Sequence, residues 1–320
     1  MPKIALLQPI AAEMEAIIAS LLPEGFTARA VKGRSVEDLK AEVVDAEYAL
    51  WWDVPVPAEV LAAGPKLKLL HKWGVGIDNI DLDYCRAHGI KVARTTGSNA
   101  APVADFTIGL IIALSRRLIQ AHNTTAAGGW AKNEVWKHSL MVSGKTVGII
   151  GLGAIGKGVA KRLAGFDCRV LYYSRTKLPE AQEQALGVSY RPLDQLLAEV
   201  DVLSLNCPLT PETKNMIDAA AFAKMKKGAL LINVARGGIV VEADLIAALR
   251  DGTLRGAAVD VFDQEPPPAD HPLLHMDNVI VTPHCASTAY ENSRRSVQHW
   301  LGNMVRVEKG EAIPESDRVV

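Results

Sequence analysis

The sequence predicts an α/β protein built on two doubly wound parallel sheets. Three observations carry that prediction. Short apolar runs alternate with stretches of helical period along almost the whole chain, the pattern of parallel strands covered on both faces. Lys145 to Arg175 holds strand, glycine turn, helix and strand within about 30 residues, one complete βαβ unit. Arg236, Glu265 and His284 each follow a predicted strand, where ligands bind in open α/β sheets.

In order, Ile4 to Leu7 reads as a strand and Glu13 to Leu22 as a helix. Phe26 to Val31, Ala49 to Trp52, Leu67 to His71 and Ile90 to Val92 read as further strands. Helices near 36–43, 57–63 and 82–88 fall between them. Val103 to about Gln120 is long and apolar (Phe106, Ile108, Leu110, Ile111, Ile112, Leu114), which predicts one buried helix joining two domains. Gly128 to Ser143 looks irregular. Thr146 to Ile150 is an almost wholly apolar run, as expected of a strand buried on both faces. Ile155, Val159 and Leu163 recur at helical spacing, with Lys157, Lys161 and Arg162 between them. Val170 to Tyr173 is the next strand. Leu193 to Glu199, 214–225 and 243–250 read as helices. Strands are expected at 202–205, 229–234, 256–260 and 279–281. A last helix, about 287–309, is expected to return to the first domain.

The glycine turn Gly151-Leu152-Gly153-Ala154-Ile155-Gly156 predicts dinucleotide binding. Gly151 allows the tight turn, Gly153 lets backbone approach a pyrophosphate, and Gly156 lets the helix lie close on the strand. The N-H groups of the helix N-terminus then hold the phosphates. About 20 residues on, sites for NAD usually carry an acidic residue for the ribose 2′-OH. Here the stretch is Ser174-Arg175-Thr176, with a guanidinium able to pair with a 2′-phosphate. NADP is therefore expected, with NAD possible. The bland alternative is a solvated Arg175 in a turn.

The chain has 320 residues, 49% hydrophobic and 22% charged, with net charge −1. That balance predicts two ordinary globular domains and gives no support for a nucleic-acid or membrane footprint. Met1-Pro2-Lys3-Ile4 runs directly into a strand and lacks a signal peptide's apolar core, so a cytoplasmic location is expected. The four cysteines lack metal-site spacing, so free thiols and no metal are expected.

Each of the three strand-end residues has a plain alternative: Arg236 a surface cation, Glu265 a loop carboxylate, His284 a structural histidine. Together they suit carbonyl reduction. Hydride delivered to a 2-oxo acid leaves an alkoxide needing a proton, which His284 could supply. Glu265 beside it would fix the tautomer. Arg236 could grip a substrate carboxylate and polarise the carbonyl.

With these stretches in hand, the chain resembles the D-isomer-specific 2-hydroxyacid dehydrogenases. The likeness rests on Gly74-Val75-Gly76-Ile77-Asp78-Asn79-Ile80-Asp81, the Gly151–Gly156 turn, and Pro208-Leu209-Thr210-Pro211-Glu212-Thr213. It continues through Asn233-Val234-Ala235-Arg236-Gly237-Gly238, Asp260-Val261-Phe262-Asp263-Gln264-Glu265-Pro266 and Thr282-Pro283-His284. The resemblance implies a Rossmann nucleotide-binding domain, 101–289, inserted into a flavodoxin-like substrate domain formed by 1–100 and 290–320, with the active site in the cleft between them. It implies Arg236, Glu265 and His284 as catalytic. Val75 and Gly76 would hold the substrate carboxylate through their N-H groups. The implied dinucleotide contacts are Gly151, Gly153, Ala154, Ile155, Gly156, Ser174, Arg175, Thr176, Cys207, Thr213, Val234, Ala235, Asp260 and Ser287. A homodimer is also implied.

One departure bears on the substrate. Members that handle phosphorylated acids often carry Arg-Ser after the third strand; this chain has Leu50-Trp51-Trp52-Asp53. A small unphosphorylated 2-oxo acid, glyoxylate or hydroxypyruvate, is expected. Strand alternation turns one of Trp51 and Trp52 toward the site, and Trp52 is assigned to substrate. Lys72 and Arg94 could add positive charge there, but solvated surface is expected for both. Trp136 could reach a neighbouring subunit's site. Two other uses of the scaffold remain open: a nucleotide-sensing corepressor-like binding protein, and phosphite or formate oxidation.

Overall fold

The computed structural model describes residues 1–320, which divide into two compact units: Met1–Asn99 with Thr288–Val320, and Ala100–Ser287. The first holds β1 (Lys3–Leu6), α1 (Ala12–Leu21), β2 (Thr27–Ala30), α2 (Val36–Val43) and β3 (Tyr48–Trp51). It continues with α3 (Ala58–Ala62), β4 (Leu69–Lys72), α4 (Leu82–Ala87) and β5 (Lys91–Arg94). Its sheet is ordered β2-β1-β3-β4-β5, with every pair parallel. This is the flavodoxin-like order, and it reverses between β1 and β3.

Side-chain alternation sorts each strand into two cores. Ala5, Leu7, Ala49, Trp51, Leu70 and Val92 pack on one face with Leu39, Val43 and Val60. Ile4, Leu6, Tyr48, Leu50, Leu69 and Ala93 face the other, with Ile18 and the C-terminal helix residues Trp300 and Met304. Both faces are apolar because both are covered, so the strands read as runs rather than alternations. The last residues close the β5 edge: Val319 N-H donates to Val92 O at 2.8 Å, and Arg94 N-H to Asp317 O at 2.9 Å. Beneath that edge lies a buried polar chain. His71 Nε2 meets Asn303 Nδ2 at 3.0 Å. Asn303 donates to Asp317 at 3.0 Å, and Asp317 also meets His299 Nε2 at 2.6 Å.

The second unit holds α5 (Ala100–Ser115), α6 (Leu118–Ala126), α7 (Lys132–His138), β6 (Thr146–Ile150), α8 (Ala154–Leu163) and β7 (Arg169–Tyr173). Then come α9 (Glu180–Leu186), β8 (Val188–Tyr190), α10 (Leu193–Glu199), β9 (Val202–Leu205), α11 (Ala219–Lys224) and β10 (Ala229–Asn233). It ends with α12 (Glu242–Arg250), β11 (Leu254–Val259) and β12 (Val279–Val281); α13 (Tyr290–Glu308) is the C-terminal helix of the first unit. The parallel sheet runs β12-β11-β10-β9-β6-β7-β8. Read from β8 this is the dinucleotide-binding order, extended by one strand, with its switch between β6 and β9. Val147, Ile149 and Tyr172 pack with α5 and α8 on one face. Leu171, Leu203 and Leu231 pack with α10, α11 and α12 on the other.

Several expected elements come out differently. The single helix expected to about Gln120 stops at Ser115, because Arg117 takes φ +53° and a new helix starts at Leu118. The irregular segment contains α7. α9 and β8 were not expected at all. The helix expected over 214–225 is only Ala219–Lys224: Asn215 has φ +56°, and the Asp218 side chain caps the start by accepting from Ala221 N-H. Lys72 is not a solvated side chain but is 5% exposed. Its Nζ donates to Trp52 O and Asn79 Oδ1 and lies 5.3 Å from the Trp51 ring centroid. Arg94 is half-buried, with Nε shielded from water.

Candidate active site

The glycine turn follows β6 at the switch point. Gly151 has φ +92°, and a Cβ there would stand 2.6 Å from Cys207 N, the start of the loop after β9. A Cβ on Gly156 would stand 2.1 Å from Gly151 O. These two glycines are therefore demanded by packing. Gly153 differs: a Cβ there would meet nothing within 4 Å. As N-cap of α8 it offers no side-chain acceptor to the first-turn N-H groups. An open backbone and uncapped amides at Gly153, Ala154 and Ile155 fit a diphosphate.

Gly151 N-H donates to Tyr173 O at 2.8 Å, which brings Ser174, Arg175 and Thr176 alongside the turn. No carboxylate ends β7. Ser174 Oγ donates to Thr176 O at 2.7 Å, shaping that bend. The Glu212 carboxyl is held below its usual range, chiefly by a hydrogen bond from Thr210, with a smaller pull from Arg175. Cys207 is buried and its thiol is pushed up to about 11 by burial, so it is no thiolate nucleophile. Thr213 Oγ1 donates to Pro208 O at 2.7 Å and accepts from Thr210 N-H at 2.8 Å, so this hydroxyl closes its own loop.

The second part of the site forms where β10, β11 and β12 end. Asn233, wholly buried, clamps the turn after β10. Its Oδ1 accepts from Ala235 N-H at 3.1 Å, and its Nδ2 donates to Arg236 O at 3.0 Å. That clamp sets Val234, Ala235 and Arg236. Asp260, 1% exposed, organises the loop after β12. Its carboxylate accepts from Thr282 Oγ1 (2.6 Å), Cys285 N-H (2.9 Å) and Ala286 N-H (2.9 Å). Its carbonyl accepts from His284 N-H at 2.8 Å. His284 is thereby held at φ +52°, a backbone state that needs such support. Asp260, assigned to the dinucleotide from sequence, here uses its carboxylate to hold the backbone around His284. Ser287, exposed, closes this unit.

His284 Nδ1 meets Glu265 Oε2 at 2.7 Å. Glu265 Oε1 accepts from Phe262 N-H at 3.0 Å. Burial pushes the Glu265 carboxyl up, but His284, Phe262 N-H and the Arg236 charge outweigh it and leave it below the usual range. Three residues separated by up to 48 positions (284 − 236) are brought together, and an ionised carboxylate backs the imidazole. Asn233 and Asp260 as organisers were not singled out. The available signal was a polar residue directly after each of two apolar runs, Ala229–Ile232 and Ala257–Val259.

In the first unit, Val75 and Gly76 lie on the turn after β4, where Gly74 O accepts from Thr95 N-H at 2.9 Å. Asn79 ties this turn to the loop after β3. Its Oδ1 accepts from Trp51 Nε1 at 2.9 Å, and its Nδ2 donates to Trp52 O at 3.1 Å. Trp51 is core. Trp52 is half-buried, edge-on to Trp73 with centroids 5.2 Å apart. Trp136 on α7 is 76% exposed.

A doubly wound sheet with an open phosphate turn at its switch point, and a carboxylate-backed imidazole at its carboxyl edge, defines a nicotinamide-dinucleotide oxidoreductase. Comparison with known proteins gives the particulars. Residues 108–286 match the model of the D-isomer specific 2-hydroxyacid dehydrogenase NAD binding domain. A glyoxylate reductase of Korarchaeum cryptofilum is 40% identical over 274 residues, 84% of this chain and 81% of that protein. A D-3-phosphoglycerate dehydrogenase of Archaeoglobus fulgidus is 38% identical over 290 residues, 90% of this chain and 54% of that one. The crystal structure of NAD-dependent formate dehydrogenase from Staphylococcus aureus in complex with NAD aligns with TM-score 0.89 at 30% identity, over 100% of this chain and 99% of that one. The chain belongs to the D-isomer-specific 2-hydroxyacid dehydrogenase family. No helix is long and apolar enough to cross a membrane.

Proposed function

We propose that this chain reduces a small unphosphorylated 2-oxo acid, of the glyoxylate or hydroxypyruvate kind, to the D-2-hydroxy acid, with NADP preferred over NAD. The observation that carries the reading is the 2.7 Å contact of His284 Nδ1 with Glu265. Reducing a carbonyl creates an alkoxide that must be protonated. Oxidising formate releases carbon dioxide and leaves an imidazole no proton to move. A carboxylate-backed histidine therefore suits the first chemistry better than the second. It also speaks against a purely sensory role. The glyoxylate reductases among the relatives support the same substrate class.

The bound dinucleotide supplies the hydride. Glu265 keeps hydrogen on His284 Nδ1, so Nε2 is the nitrogen that gives its proton to the substrate oxygen as the carbonyl carbon accepts hydride. Arg236 pairs with the substrate anion and draws electron density toward that oxygen. The N-H groups of Val75 and Gly76 take the carboxylate, and Trp52 supplies apolar surface. Arg175 pairs with the 2′-phosphate. A homodimer in the cytoplasm completes the reading.

Initial rates with glyoxylate, hydroxypyruvate, 3-phosphohydroxypyruvate and formate, each with both cofactors, test it. We expect turnover of the first two and a higher kcat/KM with NADPH, with the cofactor ratio falling about tenfold or more in Arg175→Ala. A phosphorylated acid as best substrate, or a clear NADH preference in the unaltered enzyme, overturns the respective half of the proposal.

A further inference from the structure

We infer that Glu242 and His271 are a second carboxylate–histidine pair whose task is to position Glu265, the carboxylate behind His284; the inference rests on the reading of His284 as acid/base given above. Glu242 opens α12, and its side chain and that of His271 are 18% and 15% exposed. His271 Nε2 meets Glu242 Oε2 at 3.2 Å. Glu242 Oε1 accepts from Asp263 N-H at 3.0 Å. The preceding amide, Phe262 N-H, donates to Glu265 Oε1, also at 3.0 Å.

Two adjacent amides of one turn are thus each held by a carboxylate, and each carboxylate spends its other oxygen on a histidine. Glu265 backs His284 from one side of the turn. Glu242, backed by His271, holds the turn from the other. The remaining degrees of freedom are closed by packing. The Phe262 ring stands edge-on to His271, centroids 5.7 Å apart at 83°. A Cβ on Gly237 would stand 2.1 Å from Phe262 C, so the turn lies hard against the residue after Arg236. His271 Nδ1 is buried with no hydrogen-bond partner. A buried lone pair is tolerated better than a buried N-H, which makes Nε2-H the donor to Glu242. The pair is therefore oriented as an acceptor for the Asp263 amide.

Neither residue touches the reacting atoms in this arrangement. They act through Glu265. Releasing the Asp263 amide lets the turn move, and a displacement of about 1 Å at a catalytic group costs on the order of 100-fold in rate. Glu242→Ala should lower kcat about 10- to 100-fold while KM for the 2-oxo acid changes little. Glu242→Gln, which keeps the acceptor oxygen, should retain most of the rate. His271→Phe, which keeps the ring contact but loses the donor, should fall between them.

The deciding experiment is a double-mutant cycle with the full chain, glyoxylate and both cofactors. In a Glu265→Gln background, Glu242→Ala should cost less than about threefold more, because the group it positions is already disabled. In parallel, ring NMR of His284 should show its Nδ1 proton signal sharp in the unaltered protein and broadened or exchanged in Glu242→Ala, at an unchanged melting temperature. Multiplicative losses in the cycle, or an unperturbed His284 signal, overturn the inference. If Glu242→Ala does not fold, His271→Phe carries the same cycle. An unaltered chain inactive on every 2-oxo acid defeats the functional reading instead, and the NMR comparison still decides the positioning role.

Discussion

Replacing Glu265 by Gln changes one charge and almost no volume. Gln can still accept from Phe262 N-H, so the 3.0 Å bond that shapes the turn survives. What disappears is the negative charge 2.7 Å from His284 Nδ1, and with it the acceptor for the Nδ1 hydrogen, because the amide NH2 now faces that nitrogen. At that separation Coulomb attraction is worth about 6 kcal/mol at an effective dielectric of 20 and about 1.5 kcal/mol in bulk water. The His284 and Glu265 side chains are 42% and 34% exposed, so water screening places the pair near the low end, about 2 kcal/mol. Every 1.4 kcal/mol is tenfold in rate. Glu265→Gln should therefore lower kcat for 2-oxo acid reduction at least about 30-fold from the charge alone, with a further loss as the Nδ1-H tautomer is no longer held, and with KM nearly unchanged. Stopped-flow and steady-state reduction of glyoxylate by both proteins measure kcat and KM. A variant with normal kcat would show that the contact is structural, not catalytic.

Other consequences are separable from this one. Gly151→Ala must force a β-carbon to 2.6 Å from Cys207 N at φ +92°, and should cost more than about 2 kcal/mol of stability, read by urea unfolding. Gly153→Ala has room; it should melt like the parent but bind dinucleotide about tenfold more weakly in fluorescence titrations, and unchanged affinity would remove the turn from phosphate binding. His71 is fully enclosed and pushed down to about 3 by burial. Between that value and about 6.5 the unfolded chain binds the extra proton, so stability rises with pH through this window and is lost as pH falls through it. His71→Gln should flatten that slope between pH 7 and 4; an unchanged slope refutes the assignment. Asp317 is held below its usual range: burial pushes it up, but bonds from Asn303 and His299 prevail. Its contribution should therefore persist to lower pH, vanishing only as the solution passes below the ordinary carboxylate range. Asp317→Asn should cost about 2 kcal/mol at pH 7 and progressively less in acid.

Apolar patterning read in one dimension was enough to locate most strands to within two residues and to distinguish a parallel α/β fold. Strands covered on both faces, such as Thr146–Ile150 and Ala229–Asn233, carry their burial in their own composition. The same holds for the glycine turn, whose constraints act within six residues. Where local preference was weak, the reading failed. In Lys214–Met225 the signals are single residues, Asn215 for a left-handed turn and Asp218 for a helix cap, and apolar periodicity does not register them. Arg117 has no turn residue's signature, yet it breaks the α5 helix.

Arg236, Glu265 and His284 were recognisable by position, each just beyond a strand, and by their match to a family's motifs. Their mutual geometry was not recognisable. It depends on Asn233 and Asp260, which look from composition like ordinary polar residues at strand ends. Asn233 fixes its own turn, but only when β11 and β12 lie side by side does the Asp260 side chain reach the loop after β12 and fix the backbone there. Burial of Lys72 is of the same kind: its charge predicts water, and it takes Trp51, the Trp52 carbonyl and Asn79 to make an enclosed site tolerable. Short-range chain chemistry set the identity of the elements. The choice of partners across strands, made by packing between residues distant in the chain, decided which polar groups became a site.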